Sequence, residues 1–368
     1  MSVSEEDAVI CRIFFAVLST INVIGNTLVI LSVLRNRSMQ TNINYLLVNL
    51  AIADTLVGIF LLPRYVFNRL VEYPNNLSAD IICKLLTYAS ISWVGLQAQV
   101  FTLIVISVER YSAVVHPHSS RGRLNKRKLK IVLVASWLYA FSFNLPYFVL
   151  LEYDYEKKAC VKEWSALAQK IWAVMWLVTC GPIPLFSMGY LYGKVVYVLW
   201  IKKNSVTDAS RIAVTMLRKR VTKMVITVAV IYAICWLPNL MVFNFKNYLK
   251  NISFLDLLLV ISHIFLLVNS TVNPFVYSIQ SRRFRKAMLG SMIFWRSRSG
   301  VLSNSVSMIS NFRKKNMFTN DRKNSVTAMK RGELHVSLDC YAHDTVELTH
   351  ETHAQSHDVK ECQSSNMR

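Results

Sequence analysis

A single acidic residue lies in the middle of one long apolar segment of this 368-residue sequence. Asp54 interrupts a run from Ile43 to Pro63 that is otherwise free of Asp, Glu, Lys and Arg. An ionisable group is expensive inside an apolar helix, so we expect it to have a cationic or polar partner and a function. A protonated carboxyl group with a structural role only is the alternative.

Further polar, proline and aromatic residues recur as one set per apolar segment. The third segment ends in Glu109-Arg110-Tyr111, where an acid lies beside an arginine. Each set alone is a weak signal, because prolines and stray asparagines are common in membrane helices. The other sets are Gly25-Asn26, Asn49 with Asp54, Trp137, Pro184 with Tyr192, Cys235-Trp236-Leu-Pro238 and Asn269-Ser270-Thr-Val-Asn273-Pro274-Phe-Val-Tyr277.

Seven segments of 21 to 25 residues contain no acidic or basic residue apart from Asp54. Each is long enough to cross roughly 30 Å of hydrocarbon as a helix. We therefore predict an all-α membrane protein, a bundle of seven transmembrane helices in the lipid bilayer. The segments are Ile13–Leu34, Ile43–Pro63, Leu85–Val108, Ile131–Leu151, Ile171–Gly193, Met224–Phe245 and Leu257–Ser281.

The net charge of +21 is unevenly distributed over the connecting segments. The connectors at 35–42, 109–130 and 194–223 carry +2, +6 and +7, leaving aside the pair Glu109 and Arg110, and the residues from 282 onwards carry +7. The N-terminus and the other three connectors together carry no net charge. Basic residues accumulate on the cytoplasmic side of membrane proteins. We therefore predict a multi-pass membrane protein with its N-terminus outside and its C-terminus in the cytoplasm.

This distribution excludes several other classes of protein. A nucleic-acid partner is not expected, because the basic residues do not lie on one soluble face. No connector combines a nucleophile with a base or groups metal ligands, so neither an enzyme nor a metal site is expected. A transporter, the remote alternative, would show repeated halves or paired broken segments, and neither appears.

Three regions follow from the pattern. Residues 1–280 form the seven-transmembrane domain, and residues 281–295 form an amphipathic helix on the membrane surface, with Phe284 and Trp295 on its apolar face. Residues 296–368 are polar, without helical periodicity, and are predicted to be a disordered cytoplasmic tail.

The ordered series of motifs resembles the rhodopsin-like (class A) G-protein-coupled receptors over about residues 10–290. The resemblance implies a receptor that activates a heterotrimeric G protein when a ligand favours one of two helix arrangements. Receptor kinases and arrestin are the further partners that it implies. Its activation-switch residues would be Glu109, Arg110, Tyr111, Trp236, Pro238, Tyr192, Asn273, Pro274 and Tyr277.

The same resemblance implies a disulfide and a polar core. Cys83 and Cys160 match the family's bridge between the third helix and the second outer loop. A sodium ion is the one candidate cofactor, but Gln99 stands where the family has a serine, and its bulk argues against the ion. The polar-core residues would be Asp54, Asn26, Gln99, Asn269, Ser270 and Asn273.

One interval departs from the family's pattern. Cys83 and Arg110 are separated by 27 residues, about two more than in the family that the chain resembles. Two residues rotate a helix face by about 200°. We therefore expect a bulge or an offset disulfide near the start of the third helix.

The residue types at certain positions argue against some classes of ligand. Leu267 occupies the place of the retinal-binding lysine of opsins, and Ser90 or Ser92 the place of the acid of amine receptors. The stretches Lys84-Leu-Leu-Thr-Tyr88, Leu199-Trp200 and Arg218–Met224 are similar to neuropeptide receptors. We expect an extracellular peptide ligand, with a biogenic amine or other small molecule as the alternative. Candidate pocket residues are Trp93, Gln97, Trp176, Asn239 and His263.

Modification sites are predicted on both sides of the membrane. Asn76 and Asn251 begin glycosylation sequons in the first and third outer loops. Ser205 and Ser325 follow basic residues, as many kinases require, and phosphorylation of the cluster Ser303, Ser305 and Ser307 would favour arrestin binding.

Overall fold

The computed structural model describes residues 5–67, 73–74, 78–117, 124–157, 159–162, 164–201, 209–249 and 252–292. Seven helical spans in it are long and apolar enough to cross a membrane, and each overlaps one of the seven predicted segments, although the third begins at Ser90 and not at Leu85. The predicted seven-helix fold is thus confirmed. Several predicted features lie outside the described residues, namely the tail at 296–368 with Ser303, Ser305, Ser307 and Ser325, and the sites at Asn76, Asn251 and Ser205.

The helices follow one another along the chain with short connections, and one β-hairpin is present in the described residues. The helices are α1 (Glu5–Arg35), α2 (Asn42–Tyr65), α3 (Ser78–Ile82), α4 (Ser90–Val115), α5 (Lys126–Val149), α6 (Ala166–Cys180), α7 (Pro182–Val196), α8 (Ala209–Tyr248), α9 (Ser253–Gln280) and α10 (282–292). The antiparallel strands β1 (Leu151–Asp154) and β2 (Ala159–Lys162) lie between α5 and α6. Helix α4 contacts α2, α5, α7 and α8, so it forms the centre of the bundle.

Several helices start where a polar side chain caps the first turn. Thr41 Oγ1 accepts a hydrogen bond from the backbone N–H of Asn44, and Asn125 Oδ1 accepts one of 2.7 Å from Lys128. These caps satisfy N–H groups that have no partner inside the helix. They fix the starts of α2 and α5 at the boundary between the charged connectors and the apolar spans.

The fifth span consists of two helices, α6 and α7, joined at Gly181, whose φ of −107° and ψ of −99° are not helical. Proline has no N–H, so Pro184 leaves the carbonyl of Cys180 without its helical donor. The hydroxyl of Tyr232 on α8 donates a hydrogen bond of 2.5 Å to that carbonyl. The sixth span therefore stabilises the kink in the fifth.

A second proline is compensated in the same way. Pro274 in α9 removes the donor for the carbonyl of Ser270. The side-chain amide of Asn26 on α1 donates a hydrogen bond of 3.1 Å to this carbonyl and another of 3.1 Å to the carbonyl of Asn22. The first and last spans are thus joined by a bond that the kink makes available.

The start of the third span contains the expected irregularity. Cys83–Thr87 forms a wide π-helical turn, in which the N–H of Tyr88 bonds to the carbonyl of Cys83 at 2.9 Å. Ala89 then adopts a left-handed conformation, with φ of 53° and ψ of 41°, and α4 begins at Ser90. A π-helical turn holds more residues than an α-helical one. The longer interval before Arg110 is therefore taken up between Cys83 and Ser90.

Helix α10 follows the last span with one face against the bundle. Phe284 is buried, and its ring lies 5.5 Å from that of Tyr277. Met288 Sδ accepts a hydrogen bond of 3.0 Å from Ser278, whereas Arg282 and Arg283 are exposed. This division into apolar and basic faces is the one expected of a helix on a membrane surface.

Candidate functional site

Four aromatic side chains from four spans meet toward the end of the bundle that carries the disulfide, here called the disulfide end. Trp93 on α4 lies edge-on to Trp176 on α6, with ring centroids 6.0 Å apart. Its ring is 5.1 Å from that of His263 on α9, and Trp176 is 6.0 Å from Trp236 on α8. We call these four residues the aromatic cluster. Three predicted pocket residues are therefore joined through Trp93, and Trp176 connects them to the predicted toggle Trp236.

Residues nearer the disulfide end hold the cluster in place. The indole N–H of Trp93 donates a hydrogen bond of 3.0 Å to the carbonyl of Tyr88. The hydroxyl of Tyr65 on α2 hydrogen-bonds to Nδ1 of His263. Tyr65 also stacks on Phe15 of α1, with ring centroids 4.0 Å apart. The cluster is thus connected to the first two spans as well.

The remaining two pocket candidates lie in other contacts. Gln97 donates a hydrogen bond of 2.9 Å to the hydroxyl of Tyr139 and accepts one of 2.9 Å from the thiol of Cys180. Asn239 donates one of 3.0 Å to Ser262. Both side chains are buried between spans, Gln97 toward α5 and α6 and Asn239 toward α9. Neither is placed in the aromatic cluster.

The disulfide joins Cys83, at the start of the wide turn, to Cys160 in β2. Opposite Cys160 in the hairpin is Tyr153, whose N–H donates a hydrogen bond of 2.8 Å to Asp80 in α3. At the hairpin turn, Lys157 lowers the pKa of Asp154 through a side-chain hydrogen bond. The acidic and aromatic residues of this loop are therefore held in a hairpin against the start of the third span.

An arginine that the sequence analysis did not select stabilises the wide turn. Arg64, in the last turn of α2, donates hydrogen bonds from Nη1 to the carbonyls of Thr87 and Tyr88, at 3.1 and 3.0 Å. Its guanidinium lies over the rings of Tyr65 and Tyr88, at 5.4 and 5.2 Å. The carbonyls released by the irregular backbone are thus bound by a cation, which is stronger than a neutral donor.

The polar core lies in the middle of the bundle around Asp54, which is fully buried. Asn273 on α9 donates a hydrogen bond of 2.7 Å to its Oδ2. Gly95 allows α4 to pass close by, since a Cβ at this position would lie 2.8 Å from the carbonyl oxygen of Ala53. Of the other predicted core residues, Asn26 bonds to backbone carbonyls instead.

The predicted polar-core residues contain several buried polar atoms without a hydrogen-bond partner. Within the described residues, Oδ1 of Asp54, the side-chain oxygens of Asn269, Ser270 and Asn273 and the amide of Gln99 have no hydrogen-bond partner. Oxygen ligands of this kind suit a small hard cation, and sodium would neutralise the buried charge of Asp54. The donor set therefore fits the ion, and the large amide of Gln99 remains the departure from the family's serine.

Asn49, one turn before Asp54, links three spans. It accepts a hydrogen bond of 2.9 Å from the indole N–H of Trp137 on α5 and donates one of 2.9 Å to Thr102 on α4. Asn49 and Trp137 stand in the motifs quoted from the sequence, but neither was predicted to be a site residue. Their contacts hold α2, α4 and α5 together beside the polar core.

At the opposite end of the bundle, here called the Arg110 end, Arg110 is close to its neighbour in sequence. Nη2 of Arg110 is 3.7 Å from Oε1 of Glu109. The other oxygen of Glu109 accepts a hydrogen bond of 3.4 Å from the N–H of Leu124 in the following connector. Tyr111 instead contacts His116, with 3.3 Å between Oη and Nε2. The predicted pair of acid and arginine is present at the foot of the third span.

The tyrosines of the predicted latch are buried near this end. Tyr192 on α7 is 7% exposed and Tyr277 on α9 is 1% exposed. Pro274 lies inside α9 and Pro238 inside α8, where each interrupts the helical hydrogen bonds. The switch residues therefore occupy the interior faces of spans that kink.

Sequence reasoning missed three residues that the site uses, Arg64, Tyr65 and Tyr232. Arg64 and Tyr65 follow Pro63, and the charge of Arg64 indicated a loop. Tyr232 carries no local signal. The signal that could have identified Tyr232 is Pro184. Because this proline leaves a backbone carbonyl without its helical donor, a donor from a neighbouring helix is expected.

Comparison with known proteins agrees with this geometry. Residues 25–277 match the sequence profile of the family described as 7 transmembrane receptor (rhodopsin family). The chain is 29% identical over 303 residues to the pyroglutamylated RF-amide peptide receptor of Rattus norvegicus, covering 76% of this chain and 69% of that receptor. It is 30% identical over 286 residues to the allatostatin-A receptor of Bombyx mori, covering 75% and 77%. It is 27% identical over 287 residues to galanin receptor 2a of Danio rerio, covering 76% and 77%.

These matches name receptors and no enzymes, and they extend over the spans that carry the disulfide, the aromatic cluster, the polar core and Arg110. The chain belongs to the rhodopsin family of seven-transmembrane, G-protein-coupled receptors.

Proposed function

We propose that this receptor binds an extracellular neuropeptide at its disulfide end and activates a heterotrimeric G protein at its Arg110 end. Relatives named as receptors for pyroglutamylated RF-amide peptide and for allatostatin-A support a peptide as the ligand. The N-terminus then lies outside the cell and the C-terminus inside, in the plasma membrane. The charge distribution supports this orientation, as does a disulfide that requires an oxidising compartment.

The aromatic cluster is the observation that carries the proposal. It connects α4, α6, α8 and α9 in one set of ring contacts next to the hairpin. Trp93 packs against Trp176, which packs against Trp236, so a ligand that displaces Trp93 can change the packing of Trp236 through Trp176. Since Pro238 kinks α8 two residues later, a change at Trp236 favours a different tilt of that helix. The ligand thus shifts the population between two helix arrangements.

At the Arg110 end, the response consists of releasing Arg110 from Glu109. The pair is held at 3.7 Å in this structure. An outward movement of α8 opens the inner face of the bundle, where the guanidinium can contact a G protein. Arg218 stands at the foot of α8, so the sixth span offers no acid at this position to hold Arg110 closed.

A biogenic amine has less support. The two positions where amine receptors place their acid, Ser90 and Ser92, are both fully buried serines. Ser92 donates its hydroxyl to the carbonyl of Ala89 at 2.7 Å, so it stabilises the start of α4. Neither side chain can neutralise an ammonium group.

We also propose the remaining partners from the sequence pattern. Kinases that select basic sites would phosphorylate Ser205 and Ser325, receptor kinases would phosphorylate the cluster Ser303, Ser305 and Ser307, and arrestin would bind the phosphorylated tail. Asn76 and Asn251 would carry glycans. Mass spectrometry of the receptor from stimulated cells checks each site. Absence of phosphate from all of these serines would contradict the proposed phosphorylation and arrestin binding.

The function is tested by expressing the receptor in cells with a promiscuous G protein and applying panels of amidated neuropeptides and of biogenic amines. We expect a peptide response that Arg110→Ala abolishes without loss of peptide binding. Trp93→Ala should lower potency by about tenfold or more, as for other buried aromatic anchors. The matched control is Phe186→Ala, because Phe186 is 78% exposed on the outer surface of α7.

Two results would contradict the proposal. One is an amine response that survives Ser90→Ala and Ser92→Ala together with no response to any peptide. The other is full G-protein activation by Arg110→Ala.

A further inference from the structure

A cavity of about 410 Å³ lies at the disulfide end between α1, α2, the wide turn and α9. Its size is in the range of binding sites for small molecules and for single side chains of larger ligands. The residues that matter for its chemistry are Arg12 and Phe15 from α1, Arg64 and Tyr65 from α2, and Tyr88 after the wide turn. It is separate from the aromatic cluster, but its lining residue Tyr65 hydrogen-bonds to His263 of that cluster.

The cavity is cationic. Among the described side chains, Arg12 and Arg64 are the charged residues that line it, and both are guanidinium groups with several N–H donors. Among the described side chains, no carboxylate pairs with either arginine. Asp256, the acid next to the lining residue Leu257, is paired with Lys246. Two like charges in one cavity repel each other, so an anion between them is favoured.

Arg64 is already positioned for such an anion. Its Nη1 bonds to two backbone carbonyls, and two tyrosine rings lie against the guanidinium plane. The N–H groups on Nε and Nη2 are not used by those carbonyls. A guanidinium in a fixed orientation loses little conformational entropy on binding, and it binds carboxylates through paired hydrogen bonds.

Arg12 is the residue that favours a ligand site over a purely structural role for this cavity. Arg64 has an evident structural role at the wide turn, whereas Arg12 forms no hydrogen bond or ion pair in the part of the chain that the structure describes. A second arginine is unnecessary for the turn. It is useful if the cavity must attract and hold a carboxylate from the extracellular side.

We propose that this cavity binds the carboxylate of the peptide ligand between Arg12 and Arg64. The inference rests on the proposed peptide function. The occupied cavity would act on the switch through Tyr65, which hydrogen-bonds to His263, whose ring contacts Trp93. The ligand would therefore contain an acidic side chain or a free C-terminus that enters between α1 and α9.

The test uses full-length receptor purified in detergent at low salt, because salt screens such pairs. The thermal unfolding midpoint is measured with three probes. N-acetyl-glutamate amide carries only a side-chain carboxylate, N-acetyl-glycine only a terminal one, and N-acetyl-glutamine amide is neutral. We expect saturable stabilisation by at least one carboxylate probe and none by the neutral probe. Which carboxylate probe stabilises more identifies the source of the anion.

Variants locate the binding. Arg12→Gln should weaken the apparent affinity for the carboxylate probe by about tenfold, equivalent to roughly 1.4 kcal/mol. Arg64→Gln should do so at least as strongly, but it also removes bonds to the turn, so Arg12→Gln keeps the test valid if that variant does not fold. Lys170→Gln is the matched control, because Lys170 lies over the ring of Tyr248 outside this cavity.

The proposal is overturned if no carboxylate probe stabilises more than the neutral one, or if Arg12→Gln leaves the stabilisation unchanged. These measurements contain no G protein. Failure of the anion site therefore leaves a peptide response in cells intact, whereas failure of the proposed function appears as the absence of that response.

Discussion

Asn273 and Asp54, 219 residues apart in sequence, are joined by a hydrogen bond of 2.7 Å between the seventh and second spans. The Asn273 amide donates this bond to Oδ2 of the buried Asp54 carboxylate. Because Asn273 precedes Pro274, a rotation of the kinked half of α9 breaks this bond. The pair therefore couples the ionisable residue of the core to the movement of the last span.

Exchanging the two residues tests this coupling. Asn273→Asp alone places two carboxylates together and should lower the thermal unfolding midpoint, because like charges cannot both be buried. The double variant Asp54→Asn with Asn273→Asp restores one acid and one amide. We expect it to recover most of the lost stability and part of the G-protein activation. A double variant no more stable than Asn273→Asp would show that the two side chains do not interact.

Sodium should have a weak effect on agonist affinity in the wild-type receptor, since the buried, bulky amide of Gln99 stands where the resemblance implies a serine. Gln99→Ser should make agonist binding more sensitive to sodium than to potassium, with affinity falling as sodium rises. Competition binding in sodium and potassium chloride at equal ionic strength measures this. Asp54→Asn in the Gln99→Ser background is the control and should abolish the difference. Equal sodium sensitivity of wild type and Gln99→Ser would refute the role given to Gln99.

The hydroxyl of Tyr232 should contribute measurably to stability. Tyr232→Phe leaves the Cys180 carbonyl without a donor, at a cost of about 1–3 kcal/mol in the free energy of unfolding. Pro184→Ala restores an N–H four residues after Cys180, so it should make Tyr232→Phe less harmful. Thermal unfolding of both single variants and the double variant measures the coupling. Tyr190→Phe is the matched control, because Tyr190 is 64% exposed on α7. Additive losses would contradict the proposed compensation.

Glu109→Gln should raise ligand-independent G-protein activation, because it removes the charge that attracts Arg110. A change of roughly 1 kcal/mol in the free-energy difference between the inactive and active arrangements raises the population of the active one about fivefold. Arg218→Glu should lower this basal activity, since it provides an acid on α8. Glu156→Gln, in the hairpin turn, is the control for loss of an acid elsewhere. Nucleotide exchange on the G protein in membranes gives the readout, and unchanged basal exchange in Glu109→Gln would exclude the pair as a restraint.

The spans and switch motifs were predictable because each depends on local composition. An apolar segment of sufficient length defines a span, and Trp236-Leu-Pro238 or Asn273-Pro274 can be recognised within one helix. The disulfide and the irregular start of the third span were also predictable, the latter from the interval between Cys83 and Arg110. The position of this irregular turn was not predictable, because the number of residues between Cys83 and Arg110 does not show where the backbone departs from the helix.

Residues that act through tertiary contacts could not be found in this way. Arg64 was interpreted as part of a loop because of its charge, whereas α2 continues to Tyr65 and the guanidinium binds two carbonyls of the wide turn. Gln97 and Asn239 were predicted to line the pocket from their polarity and depth. Their hydrogen bonds to Tyr139 and Ser262 depend on how neighbouring helices rotate, which the sequence of one span does not specify.

The bond between Asn26 and the Ser270 carbonyl has a consequence for biosynthesis. The span that contains Asn26 is made first and the one that contains Ser270 last, 244 residues later. Until the two meet, the carbonyl released by Pro274 has no partner in lipid, which costs several kcal/mol. Docking of the seventh span against the first, which provides the Asn26 amide, therefore removes this cost. Closure of the helix bundle would thus stabilise the seventh span in the bilayer after it has been made.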